Sequence, residues 1–106
     1  MFTLITFVPP SHRESVLTAL FEAGAGKYKD YDHCAFVSSG QGRFRPLRGS
    51  KPFRGTLDRD ELVEEERIET LVLDDLVDLV LQALRKAHPY QEPAIYLYPL
   101  DNRCLG

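Results

Sequence analysis

The chain opens with FTLITFV (2–8), in which apolar side chains fall on both faces of an extended strand. Phe2, Leu4 and Val8 point one way and Ile5 and Phe7 the other. The β-branched and aromatic residues favour a strand, and Pro9-Pro10 stops it. Apolar character on both faces predicts a central strand, or a sheet whose outer face is covered by another subunit. The period then changes. Val16, Leu17, Leu20, Phe21 and Ala23 recur at helical spacing, so a helix is predicted over about 12–23. Ser11 and Glu14, in the string SHRE, have the spacing of a capping box. Gly24 suits the left-handed residue beyond a helix end.

YDHCAFVSS (31–39) predicts a second strand and EEERIETLVL (64–73) a third. Asp74 and Asp75 open a second helix through Ala87, acidic in its first turn and basic (Arg85, Lys86) in its last, which suits the helix dipole. Leu76, Val77, Val80, Leu84 and Ala87 form its apolar stripe. Pro89 ends it, and AIYLYPL (94–100) is the fourth strand, Ile95 and Leu97 opposite Tyr96 and Tyr98. The order β-α-β-β-α-β predicts an α+β, ferredoxin-like domain: a four-stranded antiparallel sheet with two helices on one face. A long connection at about 40–62 and a loose tail at 101–106 complete a single domain over 1–106.

Composition narrows the partners. The chain has 106 residues, 43% of them hydrophobic and 27% charged, values typical of a globular domain with one modest core. Its net charge of −3 argues against non-specific nucleic-acid binding. No apolar run is long enough to span a membrane, and the N-terminus lacks the basic region of a signal peptide. The two cysteines, Cys34 and Cys104, have no metal-type spacing, so a cytoplasmic, reducing setting is expected.

Candidate chemistry concentrates in the long connection. Between 41 and 54 lie five bases, Arg43, Arg45, Arg48, Lys51 and Arg54, and no acid; between 58 and 69 lie seven acids. The arginines could fork onto phosphate or carboxylate, with Gly40, Gly42 and Gly49 admitting backbone amides. The same blocks also describe a solvated hairpin whose basic limb neutralises its acidic one. GAGKY (24–28) superficially resembles a phosphate loop, but it lacks the spacing and follows a helix instead of a strand. His33 and His88, with Glu92, are the candidate ligands for a divalent metal, although zinc or copper sites want three or four such groups in one place. In HPYQEPAIYLYPL (88–100), His88 ends a helix where an imidazolium is favoured, and Pro89 and Pro93 stiffen the turn. That stretch reads as a capping and packing turn or as a ligand site. No Ser-His-Asp set, nucleophile elbow or paired acid carboxylates is present to mark a catalytic centre.

The strings GAGKYKDYDHCAF, SSGQGRFRPLRGSKPFRG, EEERIE and HPYQEPAIYLYPL together resemble the small inserted domain of the Nif-three-like proteins of the YqfO type, which include the GTP cyclohydrolase I type 2 homologues. The likeness runs from residue 2 to about 100. It implies a fold similar to CutA and the PII signalling proteins. It does not imply an enzyme, because the family's dinuclear metal site belongs to the large flanking domain. The family's closing motif usually reads HPYEEPAYD; His88, Tyr90, Glu92 and Pro93 match it, whereas Gln91 replaces a glutamate and Ile95 an aromatic residue. The expectation is therefore a non-catalytic regulatory or binding module that senses a small anion or metal. It would be a homo-oligomer, a trimer before a dimer, with the 40–60 loop presented to a partner. The alternatives are a protein-interaction domain with no small ligand and, behind both, a metal-dependent hydrolase.

Overall fold

A computed structural model of the chain describes residues 1–50 and 55–105. Six main elements follow in order: β1 (Phe2–Val8), α1 (Arg13–Glu22), β2 (Ala35–Phe44), β3 (Glu61–Val72), α2 (Val77–Ala87) and β4 (Ile95–Pro99). The strands form one antiparallel sheet in the order β2-β3-β1-β4. This is the α+β, ferredoxin-like arrangement that the period changes predict. Among the described residues no helix is long and apolar enough to cross a membrane.

The core lies between the helices and one sheet face. Leu4 and Val8 of β1 and Ile68 and Val72 of β3 meet Val16 and Leu20 of α1 and Val80 and Leu84 of α2. Leu76, Val77 and Ala87 pack against this cluster, so the stripe read from the second helix is the buried one. Three polar side chains on the covered face are satisfied: Thr6 Oγ1 donates to the Ala94 carbonyl at 2.8 Å, Thr70 Oγ1 to the Cys34 carbonyl at 2.7 Å, and Ser39 Oγ to Glu66 Oε2 at 2.6 Å. Arg13 Nη1 donates to the other Glu66 oxygen at 2.9 Å, tying the start of α1 to β3. The Ser39 hydroxyl and then Arg13 hold this buried carboxyl below the usual carboxylate range, against the opposing effect of burial.

Three local departures have clear causes. The capping box does not form. Pro10 starts a 3-10 turn, Pro10–His12, which puts His12 at the N-cap; Ser11 Oγ meets His12 Nδ1 instead, and Glu14 pairs with Arg13. The second strand begins at Ala35, not Tyr31, because Lys29 and His33 take φ of 53° and 55°, outside the β region. It also runs on to Phe44, past Gly40 and Gly42, because β3 extends back to Glu61 and supplies ladder partners for both glycines. At the end of α1, Gly24 behaves as its residue type suggests: at φ 106° it lets Ala25 N–H reach the Leu20 carbonyl and its own N–H reach Phe21, a Schellman closure. The C-terminal tail carries a short 3-10 turn, Asn102–Leu105, with Arg103 clasping Asp101.

Candidate functional site

The cleft at the HPYQEP turn

The double apolar character of β1 has a visible consequence on the face opposite the helices. Phe7 points there and meets Tyr96 of β4 edge to face, centroids 5.9 Å apart. Where the chain enters β4, the HPYQEP turn rises beside this pair, and the extended β2–β3 ribbon stands across from it. Between them opens a cleft of about 430 Å³, within the range of ligand sites. Phe7, Phe44, Pro46 and Tyr96 are its apolar wall. Its polar groups are Gln41, Arg43, Ser50, Glu65, Gln91 and Glu92.

His88 organises the turn from beneath. It is buried, and both ring nitrogens are engaged: Nε2 lies 2.8 Å from the Phe7 carbonyl, and Nδ1 accepts from Tyr90 N–H at 3.2 Å. The first contact needs a proton on Nε2 and the second a lone pair on Nδ1, which is the neutral tautomer. Burial pushes the His88 pKa below the ordinary histidine value, with the Phe7 carbonyl working the other way and His12 adding to the lowering. The imidazole also lies against the Tyr90 ring, centroids 4.8 Å apart. Tyr90 in turn donates its hydroxyl to Glu65 Oε2 at 2.9 Å. A chain of contacts thus runs from the end of β1 through His88 and Tyr90 to a carboxylate on the cleft wall.

Glu65 fits there because residue 42 is glycine. A Cβ at Gly42 would stand 1.7 Å from Glu65 Oε1, so any side chain would evict the carboxylate. Glu65 and Tyr90 are site residues that periodicity did not single out. Glu65 is one of seven acids in its stretch, and only the fold selects it.

The sequence-derived candidates separate in space. Arg43 and Glu92 line the cleft; Arg45 and Arg48 are exposed and do not. Lys51 and Arg54 lie outside the described residues. His33 is exposed, stacked flat on Phe21 at 4.5 Å, whereas His88 is tied to Phe7 and Tyr90. Among the described residues no group of three His, Cys, Asp or Glu side chains is placed to hold a metal ion.

Comparison with known proteins

The fold defines the class: a small α+β domain with the ferredoxin-like fold of CutA and PII-like proteins. The PII-like protein CutA from Nostoc sp. PCC 7120 superposes with a TM-score of 0.72 over 98% of this chain and 85% of its own, at 17% identity, a likeness of fold alone. CutA from Pyrococcus horikoshii matches at a TM-score of 0.68 over 95% of this chain and 85% of its own, at 20% identity. Sequence carries the identification further. The GTP cyclohydrolase 1 type 2 homologue of Bacillus subtilis is 45% identical over 98 residues, which are 92% of this chain and 26% of that protein. The homologue from Halalkalibacterium halodurans is 45% identical over 102 residues, 96% of this chain and 27% of its own. A Bacillus cereus protein related to NIF3 superposes at a TM-score of 0.84 with 44% identity, over 95% of this chain and 26% of its own. Over nearly all of its own length the chain is homologous to one segment of these NIF3-related proteins, and it spans about a quarter of theirs. No family model matches it.

Proposed function

We propose that the chain is a non-catalytic binding and regulatory module whose ligand occupies the cleft between the β2–β3 ribbon and the HPYQEP turn. One observation carries this reading: aromatic and polar residues, Glu65 and Glu92 among them, line a single cleft of about 430 Å³. Its wall is braced by the His88–Tyr90–Glu65 contacts, and a preorganised wall lowers the cost of binding. The test is an amide-resolved NMR titration with a collection of small fragments. Fragments that move the Phe7, Gly42 and Tyr96 signals support the reading, and a collection that leaves all three unmoved overturns it.

The module works as a homo-oligomer, a trimer first. Phe36, Tyr96 and Tyr98 project from the outer sheet face at 64%, 45% and 55% exposure, and aromatic residues are enriched in interfaces. Native mass spectrometry at micromolar concentration reads the subunit count. The same exposed rings favour a second reading, a protein-interaction domain that contacts a partner through this face and the neighbouring connection. A monomer whose fragment titration is silent would point there. Metal-dependent hydrolysis has the weakest footing, since His33 and His88 are held by different neighbours.

A further inference from the structure

One wall of the cleft leans on an imidazole that can change its charge. His88 is fixed from two sides: its backbone N–H donates to the Leu84 carbonyl at 2.8 Å, at the end of α2, and Nε2 lies 2.8 Å from the Phe7 carbonyl on β1. Pro89 has no N–H, so Tyr90 N–H is the first amide beyond the helix able to turn back to Nδ1, which it does at 3.2 Å. The Tyr90 ring lies against the imidazole, and its hydroxyl donates to Glu65 Oε2. Glu65 Oε1 in turn fills the place of a Gly42 Cβ. The first link of this series needs a lone pair on Nδ1. An imidazolium has no lone pair on either nitrogen, so no flip of the ring restores the acceptor, and a proton on Nδ1 points at Tyr90 N–H. The Phe7 carbonyl keeps its donor in both states.

The surroundings do not hold the cation. The two partners of the imidazole are a carbonyl and an amide, not a carboxylate. His12, on the turn before α1, opposes a second positive charge there. On β3, Glu66 is taken by Ser39 and Arg13, and Glu65 connects through Tyr90. Arg85 and Lys86, before His88, and Glu92, after it, are exposed. Burial adds to this and moves the charge change below the ordinary histidine value.

We propose that His88 is an acid-released latch on the cleft wall. With the imidazole neutral, the latch is shut and the HPYQEP turn is braced against the β2–β3 ribbon. On protonation Tyr90 N–H leaves Nδ1, the Tyr90 ring and hydroxyl move with the turn, and the Glu65 carboxylate beside Gly42 loses Tyr90 as its donor. A cleft so built holds its contents at neutral pH and loosens at acid pH. This gives a regulation to the cleft read above as the ligand site, but the movement itself is measured without a ligand, so the two readings fail separately.

The test is an NMR titration of the whole chain from about pH 8 to about pH 4, following the His88 ring signals and the Tyr90 and Gly42 amides. All three are expected to shift in one step with a shared midpoint below about 6.5. His88→Asn, whose side chain does not titrate, should abolish that step at Tyr90 and Gly42. Tyr90→Phe keeps the ring and removes the hydroxyl: the amide at position 90 should still follow His88, while Gly42 no longer does. That variant decides the matter if His88→Asn does not fold. His12→Asn should leave the shared step in place. The proposal is overturned if His88 titrates while both amides stay still, or if the dispersed signals collapse before His88 titrates. It is equally overturned if His12→Asn removes the step, if Gly42 still steps in Tyr90→Phe, or if Gly42 follows its own midpoint near the carboxylate value of about 4.3. A fragment collection that leaves the cleft unmoved ends the binding-module reading and leaves the latch standing as a pH-driven movement.

Discussion

At the scale of single residues, two positions carry much of the site, and each makes a prediction. Gly42 is glycine for lack of room, not for backbone freedom, since its φ lies in the ordinary range and only a clash with Glu65 forbids a side chain. Gly42→Ala should expel the Glu65 carboxylate, break its bond to Tyr90 and weaken cleft binding at least tenfold, while costing about 1–3 kcal/mol of stability, the usual penalty for overpacking. Urea denaturation and fragment titration of the same sample separate the two effects. His88 predicts a pH dependence. Its folded pKa lies below the ordinary value, so the unfolded chain binds the proton more readily. Stability contributed by the neutral imidazole, hydrogen-bonded at both nitrogens, is complete above about 6.5 and falls as pH drops through and below that value. Protonation also deprives Nδ1 of the lone pair that accepts from Tyr90. His88→Asn should flatten the change in melting temperature between about pH 7 and 5 relative to the parent chain; an unchanged slope would assign it to another group.

At the scale of elements, the start of α1, β2 and β3 are joined by Arg13, Ser39 and Glu66. Glu66 is 5% exposed on the helix-covered face, and its two oxygens are each matched. Because its folded pKa is lowered, this carboxylate stabilises the fold above its unfolded pKa of about 4.3, and the contribution disappears as pH falls further. Glu66→Leu leaves Arg13 and Ser39 without their acceptor and should destabilise the chain at neutral pH more than at pH 3, which thermal melts at the two pH values would measure. Helix α2 is held chiefly by its stripe. Leu84→Ala opens a cavity in the cluster of Leu4, Leu20 and Val80 and should cost about 2–5 kcal/mol by denaturant unfolding. The stripe was legible in the sequence because helical period and burial coincide. The capping box was not, because Pro10 moves the helix start by one residue, and short-range spacing does not reveal where a 3-10 turn gives way to an α-helix.

At the scale of the whole molecule, the outer sheet face stands uncovered although β1 reads as a strand apolar on both sides. Ile5 is 7% exposed there, screened by its neighbours, while Phe36, Tyr96 and Tyr98 remain open. If this face joins copies of the chain, Tyr98→Glu should lower the mass seen by native mass spectrometry to that of a monomer without lowering the unfolding free energy by more than about 1 kcal/mol, as expected for an exposed substitution. An unchanged subunit count would move the interface elsewhere.

The sequence alone determined the element order, the two helix stripes, the alternation of β4 and the relationship to NIF3-related proteins. All of these are periodic or contiguous signals, read over neighbouring residues. It also pointed to the HPYQEP turn and to Arg43. Tertiary structure decided what those features do. The ladder with β3 drew the glycines of residues 40–42 into a strand, left-handed Lys29 and His33 delayed that strand's start, and folding stacked His33 on Phe21 while tying His88 to the Phe7 carbonyl. Folding also chose Glu65 from a run of acids that local pattern cannot rank, because what distinguishes it is a hydroxyl 25 residues along the chain and an absent side chain on the next strand. Contacts between residues distant in sequence leave no period to read, and the cleft is made almost entirely of them.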